Sequence, residues 1–176
     1  MNHTRYLLMA IFMTVAAPGF AEKTTGEVID DSVIQAEVKT KLMSDDFFGG
    51  MDVNLETRKG VVQMGGWIED PAQGEAFAKQ AATVEGVVKV DNQLHKIPGE
   101  RSIGQKADDA ITTTRVKAAI ADADFGSGVS VNIDTYDGNV LLTGFVDTEA
   151  DKARAGELAG QDKNTKQVIN GIYVLE

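Results

Sequence analysis

DVNLETRKGVVQMGGWIEDP, residues 52 to 71, returns as SVNIDTYDGNVLLTGFVDTE, residues 130 to 149, at an offset of 78 residues with no gap. Val53 falls on Val131, Asn54 on Asn132, Thr57 on Thr135, Gly60 on Gly138, Val62 on Val140 and Gly66 on Gly144, while Trp67 falls on another aromatic, Phe145. Each copy reads as a β-hairpin. Val53, Leu55 and Thr57 alternate with polar residues, as do Val131, Ile133 and Thr135, and period-two alternation marks a half-buried strand. Tyr136-Asp137-Gly138-Asn139 is a turn of the primed kind that Asp-Gly favours, and Gly60 keeps the turn glycine in the first copy. Gly66 and Gly144 interrupt the return strands, where a glycine marks a bulge or a close approach; the expectation is that they let a helix pack near the sheet.

Outward from the hairpin, both copies carry the same flanks. Ile34, Val38 and Leu42 form an apolar stripe that predicts a helix over Asp31 to Met43, and Ile111, Val116, Ala119 and Ile120 predict its partner over Asp109 to Ala121. The pairs Asp30-Asp31 and Asp108-Asp109 stand at these helix starts, where carboxylates cap and favour the helix dipole. Phe47 and Phe125 are expected in the core. Pro71 suits the first turn of a second helix, whose face is rich in alanine in both copies. A last strand follows at Val88 to Leu94 and again at Val168 to Val174. The prediction is an α+β fold: two α-β-β-α-β units, each a small three-stranded sheet with two helices on one face. The other face of each sheet must be solvated, covered by the second unit, or used for binding. The units are placed at residues 27–97 and 106–176, with a Pro- and Gly-bearing linker at 98–105.

Residues 1–21 read as a secretory signal peptide: Arg5, an apolar run from Tyr6 to Ala17, then Gly19-Phe20-Ala21. The run is shorter than the roughly 20 apolar residues of a membrane span. Removing it takes one Arg and no acid, so the net charge of -10 becomes more negative by one. Such a balance keeps a small protein soluble and monomeric, and opposes nucleic acid and simple attraction to anionic lipid. The chain has no cysteine, which excludes disulfides and thiol chemistry.

The α-β-β-α-β order, the Gly60, Val62 and Gly66 hairpin, and the closing Gly86-Val87-Val88-Lys89-Val90-Asp91-Asn92 together resemble the BON domain. Two copies behind a signal peptide resemble the osmotically induced periplasmic proteins of Gram-negative bacteria. The second copy departs from the pattern, with Asn164 and Thr165 for Gly86 and Val87, and Ile169 for Asp91. Its last strand is therefore expected to start later or to face a different neighbour. The resemblance implies a periplasmic, envelope-associated protein whose partners are a phospholipid or outer-membrane surface, or exported proteins that it helps as a chaperone.

Catalysis finds little support in the residues. His95 is the one histidine beyond the signal segment, with nothing to orient it as a base and no set of ligands for zinc, and it is expected on the surface at a strand end. No phosphate-cradling glycine loop occurs, so no cofactor, metal or catalytic residue is predicted. Binding remains. Phe48, Trp67 and Ile68 are the candidate lipid or partner contact; alternatively Trp67 and Phe145 cap the core where the second helix begins. The function expected is phospholipid or membrane-surface contact in envelope maintenance or osmotic stress, the alternative being a soluble holdase.

Overall fold

The computed structural model describes residues 29–43, 53–126 and 128–175. The first unit runs α1 (Asp31–Met43), β1 (Val53–Arg58), β2 (Val61–Ile68), α2 (Pro71–Ala81) and β3 (Lys89–Lys96). The second runs α3 (Ile103–Asp122), β4 (Ser130–Tyr136), β5 (Asn139–Val146), α4 (Glu149–Gly160), β6 (Gln167–Asn170) and β7 (Tyr173–Val174). The chain is thus the expected α+β pair of α-β-β-α-β units. In each sheet the return strand of the hairpin is central, antiparallel to its hairpin partner and parallel to the last strand.

The hairpin turns have the predicted primed geometry. Lys59 and Gly60 sit at φ 48° and 72°, Asp137 and Gly138 at 48° and 73°, so both central residues of each turn are left-handed. The repeated acid pairs do two jobs. Asp30 caps α1, accepting the Ser32 amide at 2.8 Å. Asp31 instead accepts the turn amides of Lys59 and Gly60 at 2.7 and 2.8 Å. Asp109 does the same for Asp137 and Gly138, both at 2.8 Å. It is not a cap at all, because α3 starts six residues earlier than Asp109, at Ile103. The reason lies in Ser102 and Gln105: each side chain takes the other's backbone amide, the reciprocal bonds of a capping box. The linker expected over 98–105 is correspondingly shorter.

Val62 and Met64 face α1 and α2 with Ile34, Val38, Leu42 and Phe77 to form one core; Val140, Leu142 and Val146 face α3 and α4 with Val116, Ile120, Ala155 and Ile172 to form the other. Phe125 is partly buried against this second core, while Phe47 lies outside the described residues. Gly144 has a different role from the one expected. At φ 113° a Cβ would stand 2.0 Å from the Ser130 carbonyl oxygen, so the close approach is by the neighbouring strand and not by a helix.

The second unit covers the sheet face that the helices leave open. Gln63, on β2, is 2 % exposed and reaches across the seam. Its Oε1 accepts the Gly144 amide, and its Nε2 donates to the Gly171 carbonyl at 2.8 Å and to Asp91 at 2.7 Å. Glu56 accepts from Ser130 Oγ at 2.8 Å and from Asn132 Nδ2 at 3.1 Å. Gly65 lies against Thr143, its own counterpart in the repeat. Contrary to expectation, the last strand of the second unit neither starts later nor changes neighbour: it begins at Gln167, the counterpart of Lys89, and pairs with the return strand as in the first unit. What changes is continuity: pairing lapses at Gly171 and Ile172, yet Leu142 faces Asn170 and Phe145 faces Tyr173 in one register. Gly171 is where the Gln93 side chain of the other unit presses in, at 2.6 Å from where a Cβ would be.

Candidate functional site

Trp67 and Ile68 are neighbours on β2, and successive strand side chains point to opposite faces. Ile68 therefore goes under α2 against Gly74 and is 1 % exposed, so it forms no surface contact. Trp67 goes to the seam between the units. Its ring centroid lies 6.1 Å from that of His95 and 5.7 Å from that of Tyr136 in the second unit. Phe145 occupies the equivalent place, fully buried and edge-on to Tyr173 at 5.8 Å. The paired aromatics thus fill the space between the sheets, rather than capping the cores beside the second helices. Phe48 lies outside the described residues.

The connection between the units is strapped over this seam. Arg101 lies on the Tyr136 ring at 3.6 Å and donates to Asp109 at 2.8 Å and to the Thr135 carbonyl at 3.1 Å. The Tyr136 hydroxyl donates to the Gly99 carbonyl at 2.5 Å. His95 is half-buried here, not on the open surface as expected, and burial lowers its pKa from the usual 6.5. Its Nε2 and the Trp67 Nε1 are buried without hydrogen-bond partners. Among the described residues no carboxylate orients the imidazole, and no group of three or more His, Cys, Asp or Glu is placed to hold a metal ion.

Two concave surfaces bear on the site. One, of 580 Å³, lies between the units and is lined by Asp91, Gln93, Asp147, Glu149, Lys152 and Tyr173. Its Asp91 carboxylate is already engaged by Gln63 and by Gln93 at 2.7 and 3.0 Å. The other, of 670 Å³, is an open groove between α1 and the turn after α2. Val33, Ala36 and Val84 line it, with Glu37, Glu85 and Lys41 also on its walls. Val33 is 46 % exposed beside it. The groove combines an apolar floor with charged edges.

The profile of the BON domain matches residues 30–97 and 108–176. The chain is 36 % identical over 148 residues to osmotically-inducible protein Y of Escherichia coli K12, covering 84 % of this chain and 74 % of that protein. Among solved structures it is similar to the C-terminal domain of CdsD, a structural protein of the type III secretion system of Chlamydia trachomatis, at 18 % identity and a TM-score of 0.33 over 84 % of this chain and 68 % of that one. A second structure of CdsD matches at the same identity and TM-score over 64 % of its chain.

Proposed function

The chain belongs to the BON-domain family, and from that premise we propose that it is a non-enzymatic periplasmic protein of osmotic stress that binds apolar stretches of other exported polypeptides. The stress is suggested by the relative, which is named for osmotic induction. Export is suggested by the signal-like residues 1–21, which lie outside the described part of the chain. One observation carries the binding mode. The two sheet faces cover each other, so what remains for partners is the helical side, and there large apolar side chains stay exposed: Val33 at 46 % and Met43 at 58 % on α1. An acidic surface keeps such a binder soluble while it holds an aggregating client. The test is light scattering of an unfolded exported protein diluted from denaturant, with this chain equimolar and in excess. The expected result is suppressed scattering near equimolar ratio; unchanged scattering at excess ends this reading.

A specific observation favours membrane-surface contact as the second reading. Ile103 is 87 % and Ile111 45 % exposed on α3, with Lys106 between them, and a helix with exposed apolar residues and a cation can lie in a lipid interface. Among the described residues no helix is long and apolar enough to cross a membrane. Flotation with zwitterionic and anionic vesicles, with and without divalent cations, checks it. Binding through α3 is lost in Ile103→Ser and leaves Trp67 emission unchanged, because that ring is held between His95 and Tyr136. A chain that never floats removes this reading.

A further inference from the structure

The two units repeat one another closely, so a place where they differ in surface chemistry carries information. On the outer face of α3, Arg115 Nη1 stands 3.7 Å from Asp162 Oδ2, an ion pair that joins the helix to the turn after α4. Arg115 is the counterpart of Glu37, and Asp162 of Val84, at the same offset as the hairpins. The two turns share their backbone bonds, though Gly86 is left-handed at φ 86° and its counterpart Asn164 is not. Val87 N bonds Val84 O as Thr165 N bonds Asp162 O, and Val88 N bonds Gly60 O as Lys166 N bonds Gly138 O. At the groove itself the contrast is in the side chains. In the second unit a cation and a carboxylate tie helix to turn; in the first, a carboxylate and an apolar side chain leave the groove of 670 Å³ open.

We infer that this groove, between α1 and the turn after α2, is a docking site for an apolar peptide segment flanked by Lys or Arg. The inference rests on the polypeptide-binding reading above and assigns its site. Charge complementarity selects the occupant. Glu37 and Glu85 place two carboxylates on the groove against one ammonium, Lys41, on a chain of net charge -10. An acidic segment meets repulsion there, while a basic-flanked one gains attraction at both encounter and docking. The floor of Val33, Ala36 and Val84 takes short apolar side chains, whose burial supplies the non-directional part of the binding. In the second unit Ile111 keeps the apolar place of Val33, but Thr114, Asp162 and Lys163 stand for Ala36, Val84 and Glu85, and Asp162 pairs with Arg115, so the floor is shorter and the unbalanced carboxylates are gone.

The experiment uses the full chain and two labelled synthetic peptides with one central leucine and alanine run, one ended by lysines and one by glutamates. Fluorescence anisotropy should show the lysine peptide binding and the glutamate peptide binding about tenfold more weakly or not at all. Copying the second unit into the first, with Glu37→Arg and Val84→Asp together, should remove binding of the lysine peptide. Val33→Lys, at an exposed position, should do the same without touching the core and decides the matter if the double variant does not fold. The reciprocal Arg115→Glu with Asp162→Val should add a second binding site. Unchanged affinity in folded Val33→Lys, or equal affinity for the two peptides, overturns the site. If that happens while the chain still suppresses client aggregation, the binding function stands and only this site is wrong; if neither peptide binds and aggregation is not suppressed, both fall.

Discussion

Asp109 ties the first helix of the second unit to its hairpin turn. It is 5 % exposed, and its two carboxylate oxygens hold the Asp137 and Gly138 amides while also accepting from Arg101. Asp109→Ala leaves two turn amides and a guanidinium without their acceptor, so a loss of about 3 kcal/mol is expected in urea unfolding. Asp31→Ala, at the more exposed counterpart that accepts the Lys59 and Gly60 amides, should lose about 1 kcal/mol. His95 sets a pH dependence of the same fold. Burial holds its folded pKa below 6.5, so the unfolded chain takes up a proton first as the solution is acidified. Its contribution is present above 6.5 and is lost as pH falls through the lowered folded value. Asp30 and Asp137 are also lowered, from 3.8, by bonds from Ser32 and from Lys166, so they act only in stronger acid. The urea midpoint should therefore drop between about pH 7 and pH 5, and His95→Phe should flatten that slope. The sequence displayed the acid pairs and their repetition. It could not show which carboxylate bonds the turn, because that depends on where the helix begins, and Ser102 moved that point.

Elements were legible where their signals are periodic and local. The stripe of Ile34, Val38 and Leu42 fixed α1 to the residue, and Asp137-Gly138 fixed a primed turn, because both are set by contacts within one element. The start of α3 was misplaced because a capping box outweighed Pro98 and Gly99 as a boundary signal. Ser102→Ala should cost about 1 kcal/mol and fray the first turn and a half of α3. A thermal melt and the helical far-ultraviolet signal check it; an unchanged melt would mean that Arg101 alone positions the helix start. Strand glycines misled in another way. Gly144 was expected to serve a helix, but its φ of 113° and the Ser130 backbone beside it show a constraint inside the sheet. Of the candidate contact residues, Ile68 was lost because a single step along β2 changes face, and the periodicity that identified the strand already implied that Trp67 and Ile68 could not share a surface. The groove on α1 was readable in principle, as Glu37 and Val84 aligned on Arg115 and Asp162, but it takes the fold to show that those two positions face each other.

At the scale of the whole molecule, the sequence left the uncovered sheet face with three fates, and side-chain pairing across the seam decides among them. The decisive contact is between a residue and its own counterpart. Gly65 and Thr143 meet where β2 crosses β5, and a Cβ on Gly65 would stand 2.5 Å from Thr143 Cγ2. Repeats that pack face to face about a pseudo-two-fold axis bring equivalent positions together, so two bulky residues cannot both occupy this one. Divergence to glycine on one side and threonine on the other resolves the conflict. Gly65→Thr alone should therefore force the sheets apart, strip Gln63 of its bonds to Gly144 and Gly171, and expose Trp67. Thr143→Gly alone opens a gap and should destabilise by about 1 kcal/mol. The exchange, Gly65→Thr with Thr143→Gly, restores one side chain to the crossing and should recover most of the loss. Urea unfolding followed by Trp67 emission measures all three. A strong favourable coupling in the double variant is the expected outcome, whereas additive losses would mean that the units are held together by the Arg101 strap and the Glu56 bonds, with the crossing point a bystander.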